Sequence, residues 1–247
     1  MTKSNVQLLL GDARKLDLPD NSVDLIITHP PYFGIEVSRY GGNPKDQINF
    51  ERDRKKMLKM LTQAVLEMQR VLKPSGSLII ANGPNEQIDL RILVDILNKT
   101  KFGYVDCIVH NSYGLEPEQS HARAEAIVSE ALTTWHHFSL SPHFYFNPFL
   151  VKRYNNPVWN LTFSNMADPV DVELAKKYHV YDVMNKEIPK RFIEMFSQQG
   201  DTVLDPFGGS AIVAVTAAEM KRKGISNDIS EDQMKAAKDR IKITFGE

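Results

Sequence analysis

The sequence predicts an α/β fold, a mostly parallel sheet covered by helices on both faces. Three observations predict it. Short apolar runs of strand length alternate with stretches of helical spacing, the pattern of crossover connections in a parallel sheet. Two of the runs stop at turns that suit ligands, one built on prolines and one on glycines. The last predicted strand is followed by one closing helix, so the layering runs to the end of the sequence.

The elements follow in order. Val6 to Leu10 reads as a short strand ending at Gly11-Asp12, and Val23 to Ile27 as a second one, ended by Thr28-His29-Pro30-Pro31. Between Phe50 and Leu72 the apolar residues Met57, Met60, Leu61, Val65, Met68, Val71 and Leu72 recur at helical spacing. Lys73-Pro74-Ser75-Gly76 is expected to stop that helix, with a strand from Ser77 to Ala81. A helix over Gln87 to Asn98 and a strand over Tyr104 to His110 come next. Ala126 to His136 fits either strand or helix. His143 to Tyr154 reads as aromatic and extended, and Asn155 to Tyr178 as irregular, broken by Pro157 and Pro169. Order returns with a helix from about Pro189 to Gln198, a strand at Thr202 to Leu204 and a Gly-rich loop from Asp205 to Ser210. A helix over Ala211 to Lys221, a strand at Ile225 to Asp228 and a helix over Glu231 to Thr244 complete the chain. The expectation is a single domain spanning 1–247, with an irregular insertion at about 111–180 that contributes to target recognition.

Composition narrows the class. The 247 residues are 42 % hydrophobic and 25 % charged, as in an ordinary globular domain with a sizeable core. No apolar run approaches the ~20 residues of a membrane span. The amino terminus enters a strand-like run without a secretory signal, and Cys107 has no second cysteine to pair with, so a reducing cytoplasm is the expected compartment. A net charge of −1 leaves nucleic-acid contact to local basic surface: Arg52 to Lys59, Lys152-Arg153 or Lys221 to Lys223. No metal is expected. His136 and His137 are adjacent, and adjacent residues on a strand face opposite ways.

Two motifs carry chemistry. Asp205-Pro206-Phe207-Gly208-Gly209-Ser210 lies between a strand and a helix, where α/β sheets bind ligands at helix N-termini. Adjacent glycines let a ligand approach the backbone closely. About 20 residues further on, Asp228 ends a strand, where such folds place a carboxylate on ribose hydroxyls. A nucleoside-containing cofactor fits this pattern. The second motif is Thr28-His29-Pro30-Pro31-Tyr32-Phe33-Gly34. Two prolines rigidify the turn, the Pro30 carbonyl is an acceptor held in place, and the aromatic beside it offers a stacking face. These are the parts needed to hold a flipped-out base by its amino group.

Together the motifs resemble the amino-methylating DNA methyltransferases, which make N4-methylcytosine or N6-methyladenine. His29 to Tyr32 matches the family's catalytic tetrad, and Asp205 to Ala211 its cofactor loop. Gly11-Asp12, Val71 to Gly76, and Lys186 to Ile193 with Gly200-Asp201 resemble further family segments. The resemblance implies the Rossmann-like methyltransferase fold, with S-adenosyl-L-methionine as cofactor and double-stranded DNA as substrate. It also implies a role in DNA methylation of the restriction-modification kind. His29, Pro30, Pro31 and Tyr32 become the catalytic set and Phe33 a substrate contact. Asp12, Asp205, Phe207, Gly208, Gly209, Ser210 and Asp228 become the cofactor set, with Asp12 on the adenine. The tetrad precedes the cofactor loop, the circularly permuted order of the β group. That order places strand Ile225 to Asp228 beside Val6 to Leu10, so both chain ends build the cofactor pocket. A homodimer is compatible with it.

Within the group, Pro30 to Phe33 with Tyr40 and Gln47 looks more like the cytosine-N4 enzymes. So do His110-Asn111, Glu116-Pro117-Glu118, Arg123, Glu125 and Tyr145-Phe146-Asn147. The chain departs from the family at His29, where Ser, Asp or Asn is usual, at Ala211, where Gly is common, and at His110, where relatives carry Trp. A neutral His29 ring still accepts a hydrogen bond, whereas an imidazolium does not. The alternatives are adenine-N6 methylation, an RNA or protein methyltransferase, and an inactive nucleic-acid-binding subunit with the same fold.

Overall fold

The computed structural model describes residues 5–31, 48, 51, 53–82, 90–113, 132–162, 168–178 and 183–246. The described strands form one eight-stranded sheet in the order β1-β8-β7-β2-β3-β5-β4-β6. They are β1 (Val6–Leu10), β2 (Val23–Thr28), β3 (Leu72–Asn82), β4 (Gly103–Tyr113), β5 (Leu132–Ser139), β6 (Val158–Thr162), β7 (Thr202–Asp205) and β8 (Lys223–Asp228). Only β5 runs antiparallel to its neighbours, β3 and β4, so the expected mostly parallel sheet is what forms.

Helices cover both faces. α1 (Arg54–Val71) and α2 (Leu90–Lys99) lie on one. The Asp53 side chain caps α1 by accepting from the N–H groups of Lys55 and Lys56, and Met57, Leu61, Ala64, Val65, Met68 and Val71 form its buried stripe. They pack on Ile26, Leu78 and Ile80 of the sheet. On the other face lie α4 (Pro169–Tyr178), α5 (Glu187–Phe196), α6 (Ile212–Glu219) and α7 (Glu231–Phe245). There Leu25, Ile27, Ile79 and Val203 meet Leu174, Ile188, Phe192, Ile193 and Val213.

Three expectations need correction. Lys73-Pro74-Ser75-Gly76 does not separate α1 from a short strand. β3 begins at Leu72, directly after the helix, and the four residues fall at an irregularity where the pairing steps from Val23–Leu72 to Leu25–Ser77. Pro74 is tolerated because the regular ladder is interrupted there. His143 to Tyr154 is not extended throughout: α3 (Pro148–Arg153) forms because Pro148 suits a first turn and the Asn147 side chain accepts from Phe149 and Leu150 N–H. Asn155 to Tyr178 is not irregular either. It holds β6, whose pairing extends β4, and α4, which Pro169 begins instead of breaking. The open choice at Ala126 to His136 resolves to strand for Leu132–Ser139, while residues 114–131 lie outside the described residues.

The permuted order has the structural consequence expected of it. β1 pairs in parallel with β8, with Leu10 opposite Asp228, so the two ends of the chain close one side of the sheet. β8 also approaches α6 very closely at Gly224, where an added Cβ would sit 2.0 Å from the Ala214 carbonyl oxygen. Gly224→Ala is therefore expected to destabilise the fold by about 3 kcal/mol or more, since backbone must move to admit the methyl. Gly103→Ala, whose nearest contact would be 3.7 Å away, is expected to stay within about 0.5 kcal/mol of wild type. Urea unfolding of the two variants measures the difference.

Candidate active site

The carboxyl ends of β1, β8, β7 and β2 lie side by side, and each delivers a turn to the same rim. β7 ends at Asp205, which is 3 % exposed. Its Oδ1 accepts from the Phe207 N–H at 3.0 Å and from the Thr28 hydroxyl at 2.8 Å. Thr28 is the last residue of β2, so this bond ties the Gly-rich loop to the strand that carries His29. Gly208 packs so tightly on β8 that a Cβ would sit 2.0 Å from Ser226 Oγ. Its N–H donates to the Asn227 carbonyl at 2.8 Å. Gly209, with φ +50°, donates its N–H to Asp228 Oδ2 at 2.9 Å. Ser210 is buried, and its carbonyl and hydroxyl are both held by Arg240. The loop passes through Ala211 in a left-handed conformation, φ 65°, and α6 then starts without a side-chain cap. Uncapped first-turn amides are the usual anion- and ligand-binding feature of such a loop.

Asp228 ends β8. Its Oδ1 accepts from Ser230 N–H at 2.8 Å, beside the Gly209 contact on Oδ2. The Asn227 side-chain amide donates to the carbonyls of Gly11 and Pro206, each at 3.0 Å, and Gly11 N–H donates to the Asp228 carbonyl at 2.9 Å. One side chain thus pins the turn after β1 to the loop after β7. Asp12 stands at that junction, with both carboxylate oxygens engaged by Arg14. Burial works against its ionisation, but the hydrogen bonds and charge of Arg14 hold its pKa below the usual value. Burial pushes Asp205 up to about 7 against its hydrogen bonds to Thr28 and Phe207, and Asp228 adds to the rise. Burial also raises Asp228.

His29, Pro30 and Pro31 follow Thr28. The His29 ring faces Trp135 of β5, centroids 5.8 Å apart and tilted 56°. Burial and the nearby His110 hold its pKa down at about 4, so the ring is neutral at pH 7. Burial also lowers His110. Tyr32 and Phe33, with Tyr40, Gln47 and the run Glu116 to Glu125, lie outside the described residues.

The structure therefore gathers Asp12, Asp205, Phe207, Gly208, Gly209, Ser210 and Asp228 at one rim and sets His29 to Pro31 on the adjoining strand tip. Sequence reasoning quoted Thr28 without giving it a role, and missed Asn227, Asp171 and Arg240. The role of Thr28 was findable, as a hydroxyl buried between an apolar strand and a proline turn. Arg240 had no signal, because a charged residue on an amphipathic helix reads as solvated. A different alignment also appears on the sheet: Ser77 Oγ lies 2.9 Å from His137 Nε2, and His137 Nδ1 lies 3.4 Å from Asp106. Ser77 is 1 % exposed, so no substrate reaches it, and the contact serves to join β3 to β5.

Two turns tied across adjacent strands, a glycine loop before an uncapped helix and carboxylates at two strand tips meet at one rim of a permuted α/β sheet. Residues 23–239 match the family model for N6/N4 methyltransferases, described as DNA methylase, and the chain belongs to that family. It is an amino-methylating DNA methyltransferase that uses S-adenosylmethionine. Among its relatives is the type II methyltransferase M.HpaI of Haemophilus parainfluenzae, 28 % identical over 244 residues that cover 93 % of this chain and 71 % of the relative. The fold is similar to that of the cytosine-N4-specific PvuII DNA methyltransferase, with a TM-score of 0.74 at 19 % identity over 100 % of this chain and 95 % of that one. It is also similar to M1.HpyAVI in complex with SAM, with a TM-score of 0.66 at 19 % identity, covering 96 % and 98 % of the two chains. At these identities the two structures speak to the fold. Asp12 lies before the stretch that the family model covers.

The His29 environment sets a pH dependence. Its folded pKa is about 4, and an unfolded histidine titrates near ~6.5. As pH falls between those values the unfolded chain binds the proton and the folded chain does not, so stability is lost. His29→Ser is expected to lose less stability than wild type between pH 6.5 and 4. Denaturant titrations at several pH values measure this, and equal losses in both proteins would remove His29 from the account.

Proposed function

We propose that this chain methylates the exocyclic N4 amino group of cytosine within a specific site of double-stranded DNA. The observation that carries the reading is the Thr28–Asp205 hydrogen bond, which holds the His29–Pro31 turn and the Asp205–Ser210 loop against one rim. The choice of cytosine rests on the sequence pattern around Pro30 to Phe33 and the middle segment. Protective methylation of a recognition site, in the reducing cytoplasm that unpaired Cys107 fits, is the role we assign.

When bound, S-adenosylmethionine supplies an electrophilic methyl group. The Asp205–Ser210 loop and the α6 amides receive the cofactor. Asp228 has lone pairs beyond those used by Gly209 and Ser230, enough for ribose hydroxyls. Asp12, oriented by Arg14, would hold the adenine. The family resemblance assigns Tyr32 to stacking on the flipped base and Phe33 to a substrate contact. Neutral His29 and the Pro30 carbonyl accept hydrogen bonds from the amino group and turn its lone pair toward the methyl. As the nitrogen gains the methyl it sheds a proton, which leaves to solvent, and His29 stays neutral throughout. Most of the rate comes from proximity and orientation. Residues of the 111–180 segment contribute to target recognition.

The test is transfer of labelled methyl to DNA, RNA and protein, followed by digestion to nucleosides. N4-methylcytosine is the expected product. N6-methyladenine would move the target base, label in RNA or protein would change the substrate class, and cofactor binding without transfer would mark an inactive binding subunit. Tyr32→Ala is expected to lower the transfer rate while leaving cofactor affinity within about twofold, because base stacking contributes roughly 1–3 kcal/mol. Loss of cofactor binding in that variant, measured by calorimetry, would contradict the stacking role.

A further inference from the structure

The Ser210–Ala211 peptide is held at both of its polar ends. Its N–H, from Ala211, donates to the Gly208 carbonyl at 2.7 Å. Its carbonyl, from Ser210, accepts from Arg240 Nε at 2.8 Å, and Arg240 Nη2 donates to Ser210 Oγ at 3.0 Å. This clamped peptide leads into Ala211 at φ 65°, ψ 29°. A residue with a Cβ disfavours that conformation, which persists only when its surroundings enforce it. Glycine adopts it freely.

The clamp is deep in the molecule. Arg240, on α7, is 2 % exposed, and Asp171, on α4, is 1 % exposed. Arg240 Nη2 meets Asp171 Oδ1 at 2.5 Å. The same two helices are joined at the surface, where Lys177 and the Tyr178 hydroxyl both donate to Asp239. A buried ion pair adds little to stability over apolar packing, and the methyl transfer uses neither charge. What this one does use is direction: a planar guanidinium serves the carbonyl and hydroxyl of Ser210 and the carboxylate of Asp171 at once.

We propose that Arg240, charge-paired with Asp171, is a positioning residue that locks the cofactor loop in its left-handed turn and keeps the α6 N-terminus aimed at the cofactor. This rests on the reading of Asp205–Ser210 as the cofactor loop. Because α4 belongs to the segment assigned to target recognition, the pair also ties that segment to the cofactor site. Ala211 in place of glycine makes the chain depend on the clamp.

The test removes both charges together, Arg240→Met with Asp171→Leu, so that no lone charge is buried. Binding of S-adenosylmethionine is measured by calorimetry, and backbone amide exchange from Gly208 to Val213 is measured in the free protein. The double variant is expected to melt cooperatively, bind the cofactor about tenfold more weakly and exchange those amides about tenfold faster, the scale of one strained residue released. Adding Ala211→Gly to the double variant is expected to restore most of both, because glycine needs no clamp. Unchanged affinity and exchange in the double variant, or no recovery with Ala211→Gly, overturns the proposal. If the double variant does not fold, Arg240→Lys keeps the charge while losing the fork and takes its place with the same expected readouts. Absent cofactor binding by the wild type, with loop exchange still governed by Arg240, would sink the cofactor-loop reading and leave the clamp standing.

Discussion

The hydrogen bond from Thr28 to Asp205 is the constraint on which the rest of the site depends. Its partners are 177 residues apart in the chain and adjacent in the sheet, at the ends of β2 and β7. Both are nearly inaccessible, Thr28 at 0 % and Asp205 at 3 %. Neither finds water there, and leaving either unpaired costs about 1–3 kcal/mol. The bond therefore forms as the strands pair, and it fixes how far the proline turn sits from the glycine loop. His29 follows Thr28 directly, and Phe207 N–H shares the same Asp205 oxygen. A shift of one strand along the other would break the bond and separate the two halves of the chemistry together.

Permutation gives a second constraint. The loop after β7 is finished by material from both chain ends: Gly11 beyond β1, and Asn227 and Asp228 at the tip of β8. Asn227 is suited to this because one amide carries two donors, one for Gly11 and one for Pro206. Pairings between such distant segments carry the loop-closure cost of the chain between them, and the rim is built from contacts between both ends of the chain.

Most of this fold was legible because each strand near the site is a short apolar run stopped by a turn with its own chemistry. Pro30-Pro31 stops β2, Asp205 with its glycines stops β7, and Asp228 stops β8. The cofactor and proline motifs could be read as neighbours for the same reason, since parallel strands present their carboxyl ends to one rim. Legibility failed where tertiary context decides. Pro74 reads as a breaker, yet it sits within a strand at a pairing irregularity. Pro169 reads as an interruption, yet it begins a helix, as does Pro148 within a run that reads as extended. Arg240 was invisible because nothing local distinguishes a cation that will be buried against Asp171 from one that will face water. Ala211 stood out as a departure from glycine, but its left-handed backbone is a fact of the folded loop alone.

The charges around the rim are divided in a way that suits the chemistry assigned to it. Asp171 is closed off by Arg240, so its charge is spent inside the scaffold. Asp205 and Asp228 are treated differently. Their hydrogen bonds come from a hydroxyl and from backbone N–H groups, which support a carboxylate without cancelling its charge. Burial raises both pKa values against those hydrogen bonds. On the other side, the low pKa of His29 keeps its ring neutral, and Pro30 offers only a carbonyl. A cation next to the target amino group would oppose the positive charge that grows on nitrogen as the methyl arrives. Histidine is compatible with the position because its surroundings keep it from becoming one.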